Sequence, residues 1–262
     1  MRAVNLASGS DGNLTYVETD NAKILIDIGL SCKEIENRLK LLNVLGSEID
    51  AILITHEHSD HIKGLDVFAS KYNIPVYAHV DGWNAINSRL TRVKTQQKFS
   101  FSLAPFGVKD VLISAFKLSH DSSCCVGYSL ESGGKKISIA TDLGKFDENI
   151  LKALSGSQLV FLEANHNVEL LKKNPNYSLM LKQRILSSRG HLSNVDSAKV
   201  IAYLAQNGTK QVVLSHLSRE NNRPSLAYEE ITTFLQTLGI KEGENIKIDI
   251  ASPLPGKIFK II

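Results

Sequence analysis

The segment Thr55-His56-Glu57-His58-Ser59-Asp60-His61 places His56, His58, Asp60 and His61 within six residues. Neither a buried core segment nor a solvated turn requires that density of metal-binding side chains. Residues two apart in an extended chain leave the same side of the backbone, so His56 and His58 can share one ion. Asp60 and His61 follow at a helix start, point elsewhere and can serve a second ion. Imidazoles mixed with a hard carboxylate suit zinc first, with manganese or iron also accommodated. A solvated turn that happens to be histidine-rich is the bland alternative, and it requires no further ligands downstream.

The elements around this segment are built to hold it. Residues 49–54 (IDAILI) are short, apolar and bounded by polar residues, which predicts a buried strand. Over 62–72, Ile62, Leu65, Phe68 and Ala69 fall on one helical face, with Ser59 or Asp60 as the cap. The cluster therefore occupies a strand-to-helix turn. Upstream, strands over 3–7, 14–19 and 23–28 are separated by hairpin residues and predict an antiparallel opening. Asp27, ending the third, is read as a buried partner of the metal histidines rather than as a strand-end cap. A first helix over 31–42 is capped by Ser31. Strands follow at 75–78, 99–103, 111–118, 126–130 and 136–140, with a helix over 80–90. The second half mixes strands (159–162, 211–214) with helices (177–187, 194–206, 225–238) and closes on strands at 246–250 and 257–261. Two β-rich halves, each followed by helices, predict a single α/β domain over 1–262 with two sheets packed together and covered outside by helices.

Three later strand ends repeat the pattern of the first. His120, Asp142 and His216 each follow a β run directly. Taken singly, each is explained by a satisfied histidine or a turn aspartate. Together they supply what two ions lack: a third histidine for the first, a carboxylate able to bridge, and a second histidine for the other. Arg219, Asn221, Asn222 and Arg223 follow His216 and are expected to border the site, where guanidinium groups suit phosphate. The turn over 8–13, with Ser10 and Asn13, offers amides to a phosphate, although a plain hairpin explains it nearly as well. His79 fits no ligand position and reads as structural.

Composition narrows the class without deciding it. The 262 residues are 43% hydrophobic, enough for a large core, and a formal charge of +3 permits an anionic partner without demanding one. Aromatic residues make up 6%, so no base-stacking platform of the single-strand-binding type is visible. No secretory apolar region opens the chain, and no run approaches the ~18 apolar residues of a membrane span, so a cytoplasmic location without membrane association is expected. Cys32, Cys124 and Cys125 are read as free thiols.

His56-x-His58-x-Asp60-His61, then His120, Asp142 and His216, preceded by Asp27, resembles the metallo-β-lactamase superfamily over essentially the whole chain. The resemblance implies a four-layer αβ/βα sandwich. It also implies one ion on His56, His58 and His120, another on Asp60, His61 and His216, and Asp142 bridging them. The strings LASGSDGN, THEHSDHIKGL, LSHD, IATDLG, LEANHN, SSRGHLSN and LSHLSREN resemble the YycJ/WalJ branch, described as bacterial DNA nucleases. Cys124-Cys125 departs from the small residues and proline expected before VGY. The implied reaction is phosphodiester hydrolysis with two divalent ions, zinc or manganese, on DNA in preference to RNA. Asp60 would orient the attacking water or accept its proton. His191 resembles the non-ligand histidine that protonates the leaving group in the ribonuclease Z type, its alternative being a structural residue at a helix start. Glu163 and His166 would orient His191 or touch phosphate. A small-molecule or cyclic-nucleotide phosphodiesterase and a non-catalytic metal-bound scaffold remain open, and the oligomeric state is not encoded.

Overall fold

In the computed structural model, which describes residues 1–261, the chain forms two seven-stranded sheets. The first contains β1 (Arg2–Ala7), β2 (Leu14–Glu18), β3 (Lys23–Ile26), β4 (Ala51–Leu53), β5 (Val76–His79) and β6 (Lys98–Phe101). The second contains β7 (Phe106–Val108), β8 (Val111–Leu118), β9 (Cys125–Ser132), β10 (Lys135–Ala140), β11 (Leu159–Glu163), β12 (Gln211–Ser215) and β13 (Lys247–Ile250). The chain then crosses back, and β14 (Ile258–Lys260) pairs antiparallel with β1. Both sheets are mixed. β1 to β3 are antiparallel, as expected for the opening, and β3 to β6 parallel. β7 to β10 are antiparallel and β10 to β13 parallel.

Side-chain alternation along the strands produces the layers. Ile24 and Ile26 of β3 and Phe161 of β11 enter the core between the sheets. Leu25 packs instead with Ile35, Leu39 and Phe68 of the helices covering the first sheet. Val160 and Leu162 pack with Ala198, Ile201 and Ile231 on the far side of the second. Three apolar layers thus separate four layers of secondary structure, the expected sandwich. Strands buried on both faces read as unbroken apolar runs, which is why 23–28 and 211–214 are legible from sequence.

Several boundaries differ from expectation for identifiable reasons. The helix expected over 62–72 is two, Ser59–Ile62 and Leu65–Tyr72, because the Gly64 amide donates to the Ile28 carbonyl at 2.9 Å instead of continuing the helix. Neither Ser59 nor Asp60 caps the first of these. His58 is the N-cap residue and makes no capping bond, its ring being turned toward His56. Ser31 does cap Cys32–Lys40, accepting from the Glu34 amide. Short elements missed by periodicity include β7 and the helices Glu148–Leu154 and Val168–Lys173. Among the described residues all three cysteines are free, as expected, and no helix is long and apolar enough to cross a membrane.

Candidate metal centre

The candidate ligands gather because their strands end together. The His56 segment follows β4, His120 follows β8, Asp142 follows β10 and His216 follows β12, while Glu163 is the last residue of β11. Asp27, Asp142 and His216 adopt φ of 57°, 64° and 55°. Left-handed backbone is uncommon for residues with a Cβ and costs ~1–3 kcal/mol at each position. Three such residues at one site turn their side chains off the strand direction into a shared space. The Asp60 turn is seated by contact with Gly29, where a Cβ would lie 1.6 Å from the Asp60 carbonyl oxygen. The Asp60 and His61 carbonyls there accept from the amides of Asn13 (2.8 Å) and Ile28 (2.7 Å).

Two donor sets result. His56, His58 and His120 form the first, with His56 Nε2 and His58 Nδ1 3.0 Å apart. Asp60, His61 and His216 form the second, with Asp60 Oδ2 3.3 Å from His61 Nε2 and 3.8 Å from His216 Nε2. Asp142 stands between them, its Oδ2 3.1 Å from His61 Nε2 and its Oδ1 3.9 Å from His120 Nε2.

Behind the donors, oxygen acceptors fix the ring orientations. His61 Nδ1 meets Asp27 Oδ2 at 2.7 Å and His216 Nδ1 meets Glu163 Oε1 at 2.8 Å. His120 Nδ1 meets the Gly190 carbonyl at 3.2 Å and His56 Nδ1 meets Thr55 Oγ1 at 3.0 Å. An N–H donated from Nδ1 leaves Nε2 as the lone-pair atom, and in all four rings it turns inward, the arrangement that outer partners of metal-ligating histidines impose. Thr55 Oγ1 also contacts both Asp27 oxygens, at 3.0 and 2.9 Å, so one aspartate anchors His61 directly and His56 through a hydroxyl.

The charge distribution fits divalent cations. Burial alone lowers the pKa of His61 and His216, yet Asp27 and Asp142 around the first, and Asp142, Asp60 and Glu163 around the second, hold both well above the ordinary histidine value. Burial keeps His56 and His120 below it, neutral and able to ligate. Burial disfavours the Asp142 and Asp60 anions, but the surrounding histidines hold both carboxyls well below the ordinary range. His216 Nε2 is buried without a hydrogen-bond partner, and Asp142 Oδ2 has the His61 Nε2 atom at 3.1 Å, a partner only while that nitrogen carries a proton. Buried polar atoms ordinarily find partners, and a cation satisfies both.

Glu163, fully buried, has a larger part than expected. Its Oε2 accepts from the Leu143 and Leu192 amides at 3.0 and 3.1 Å, and its Oε1 lies 2.8 Å from both His191 Nδ1 and His216 Nδ1. Burial opposes its charge, but His191 and His216 outweigh that and hold its carboxyl at about 2. His191 keeps 22% of its side chain exposed. Burial lowers its pKa, and Glu163 and Asp142 more than reverse this, leaving it above the ordinary value.

Other expectations need correction. His166 neither orients His191 nor faces a phosphate: it is 1% exposed, both ring nitrogens lack partners, and burial pulls its pKa down to about 4. Asn222 is buried, its amide spent on the Ala164 and Asn165 carbonyls and on Asn194. Asn221 is likewise buried, accepting from Asn174. Arg219 is exposed but ion-paired to Asp11, and Arg223 is exposed at the start of the helix Pro224–Thr237. Asn13 is buried and braces Asp60 Oδ2 (3.2 Å) rather than meeting substrate, whereas Ser10 is exposed at the rim of a cavity beside His191. Sequence reasoning passed over Thr55, although it directly precedes His56, and Ser8, whose Oγ accepts from the His216 amide at 2.7 Å. No local signal connects residues 208 apart in the chain.

Comparison with known proteins agrees with this geometry. The family model described as "Beta-lactamase superfamily domain" matches residues 22–217. The chain is 39% identical to "Exodeoxyribonuclease YycJ" of Bacillus anthracis over 257 residues, 97% of this chain and 96% of that protein. It is 40% identical to "Exodeoxyribonuclease WalJ" of Streptococcus pneumoniae over 253 residues, 95% of this chain and 93% of that one. Among solved structures, YhfI of Bacillus subtilis superposes with a TM-score of 0.71 at 16% identity, covering 99% of both chains. The short form of human tRNase Z gives 0.68 at 18%, covering 100% of both. At such identities the two structures establish the fold. The family match and the near-full-length relatives establish more: the chain belongs to the metallo-β-lactamase superfamily, in its YycJ/WalJ branch.

Proposed function

We propose that this protein is an exonuclease that hydrolyses phosphodiester bonds of DNA, with residues 1–262 acting as one hydrolase domain. In this reading two divalent ions, zinc or manganese, are held by His56, His58 and His120 on one side and Asp60, His61 and His216 on the other, with Asp142 between. Bound there, such ions supply Lewis-acid stabilisation of phosphoryl charge and water of lowered pKa. Asp60, the donor carboxylate with 21% of its side chain exposed, orients the attacking water. His191 gives a proton to the departing sugar oxygen. With Nδ1 fixed on Glu163, its Nε2 is the atom left to donate, and its raised pKa keeps the proton on the ring near neutral pH.

The observation that carries this reading is the shared carboxylate: Glu163 Oε1 holds His191 and the candidate ligand His216 at the same 2.8 Å. A histidine with only a structural task at a helix start has no need of that anchor. The names of the YycJ and WalJ relatives support DNA as the substrate. The test is to incubate metal-loaded protein, in zinc and in manganese, with end-labelled DNA, end-labelled RNA and a nitrophenyl phosphodiester. Release of nucleotides from DNA ends is expected. His191→Ala should slow DNA cleavage by about 10²–10⁴-fold and nitrophenyl ester cleavage far less, because nitrophenolate departs without a proton. Cleavage of the ester but not of DNA would instead make this a small-molecule phosphodiesterase. Cleavage of nothing would leave a metal-bound scaffold.

A further inference from the structure

Beside His191 lies a cavity of about 160 Å³ that none of the candidate ligands lines. Its two walls differ in chemistry. Tyr177, Leu181 and Ile185 supply one, from the helix Leu179–Leu186 and the residues just before it. That helix buries none of its residues, so Leu181 and Ile185, each half-buried, are not filling a core. Ser10, Asn165 and Ser218 form the opposite wall with His191. The Asn165 Nδ2 already donates to the His216 carbonyl at 2.9 Å, and the Ser218 Oγ already accepts from the Asn221 amide at 3.1 Å. Asn165 keeps its Oδ1 and a second N–H, Ser218 keeps its hydroxyl hydrogen, and the Ser10 hydroxyl and His191 Nε2 add to them, so that wall can both donate to and accept from a guest.

Charge decides what the guest is. Of the cationic groups lining the cavity, Arg184 is ion-paired to Asp121 on its rim and the His191 ring to Glu163 behind it, so the cavity as a whole does not select an anion. A phosphate is served instead by the donor sets on the other side of His191. The group that fits here is neutral, planar and amphipathic, with an apolar face and hydrogen-bonding edges, and small enough for about 160 Å³.

We propose that this cavity is the subsite for one unpaired nucleoside next to the scissile phosphate, its base resting on Tyr177. The inference rests on the nuclease reading and adds to it that the terminal base leaves its partner before cleavage. The helix Leu179–Leu186 acts as the specificity element, and the Asp121–Arg184 pair ties its C-terminal half to the His120 loop.

The test compares DNA carrying ordinary terminal nucleotides with the same DNA carrying an abasic residue at each end, using metal-loaded wild type, Tyr177→Ala, Tyr177→Phe and Leu181→Ala. Stacking of one base on an aromatic ring predicts that Tyr177→Ala lowers kcat/KM on ordinary ends by about 5- to 150-fold, mainly through KM. On abasic ends it should change little, and Tyr177→Phe should restore ordinary ends. Leu181→Ala should reproduce the Ala effect in weaker form. Equal losses on ordinary and abasic ends, or equal wild-type rates on both, would overturn the subsite. Because Tyr177 is half-buried and the helix that follows it, which carries Leu181, buries none of its residues, the variants should fold, which circular dichroism checks. If wild type cleaves neither DNA, it is the nuclease reading that fails. If it cleaves ordinary ends and the Tyr177 variants are indifferent, the subsite alone fails.

Discussion

Replacing Glu163 by glutamine changes one oxygen to an NH₂ group with almost no change in shape, and the surroundings dictate how the new group must sit. Oε2 accepts from two backbone amides, so the glutamine oxygen must stay there and the NH₂ must face His191 and His216. Both Nδ1 atoms then become acceptors, and in neutral rings the protons move to Nε2. For His216 that occupies the candidate ligand atom. For His191 it removes the anion that stabilises imidazolium. A hydrogen bond to a charged group contributes ~1.5–3 kcal/mol, and about 1.4 kcal/mol corresponds to one pH unit. The His191 pKa should therefore fall by about one to two pH units. As a proton donor is lost when pH rises through its pKa, the alkaline limb of DNA cleavage should move down in pH by that amount. Metal affinity should also fall, by about 10–100-fold. The assay is a pH–kcat profile at saturating metal, with metal content measured in parallel. A folded Glu163→Gln protein with an unmoved alkaline limb and full metal content would refute the shared-carboxylate argument.

Three further outcomes are expected. His120→Ala or His216→Ala should abolish hydrolysis while leaving the far-ultraviolet circular dichroism unchanged, since neither ring belongs to the apolar layers. Because His61 and His216 have raised pKa values, a divalent ion must displace protons from them. Binding should then release protons into weakly buffered solution at neutral pH, and titration calorimetry should show affinity weakening as pH falls. Gly29→Ala should be severe, because the clashing atom, 1.6 Å from the new Cβ, is the Asp60 backbone oxygen and no side chain can swing away. Overpacking of this kind costs ~1–3 kcal/mol or more. Thermal unfolding should detect that loss, and activity should fall with the displaced Asp60 even at saturating metal.

Much of the fold and of the donor set is legible in the chain because burial on both faces leaves a simple signature. The buried residues of Lys23–Ile26 are all apolar, as are those of Gln211–Ser215 up to the closing Ser215, and a ligand-type residue directly after such a run stands out. That logic finds Asp27, the His56 turn, His120, Asp142 and His216. It fails where function resides in geometry set by distant chain. Asn222 and His166 sit at promising sequence positions, but neighbouring carbonyls consume one and the core encloses the other. Arg219 reads as a phosphate ligand with nothing nearby in the chain to show that Asp11, in a different loop, is its ion-pair partner. The helix Leu179–Leu186 is visible as a helix, yet nothing in its periodicity reveals that it leaves the core untouched.

The two buried carboxylates behind the donors follow one rule, which explains why the site tolerates so much charge. Asp27 anchors His61 directly and His56 through Thr55, so it touches a donor from each set. Glu163 anchors His216 and the proposed proton donor His191, joining the second set to the side where the proposed leaving group departs. Each anion thus spends its charge on two rings whose tasks must be coordinated, and each is fixed by backbone amides or the Thr55 hydroxyl rather than by a lysine or arginine. A cationic side chain in either place would satisfy the carboxylate and compete with the divalent ions for it. Amides and a hydroxyl satisfy the remaining oxygen lone pairs and leave the negative potential for the histidines and the metal. Asp27→Asn should therefore affect both donor sets at once, with the loss of the two proposed ions coupled in metal titration. Loss of one ion with the other retained at full affinity would show that Thr55, and not the aspartate behind it, sets His56.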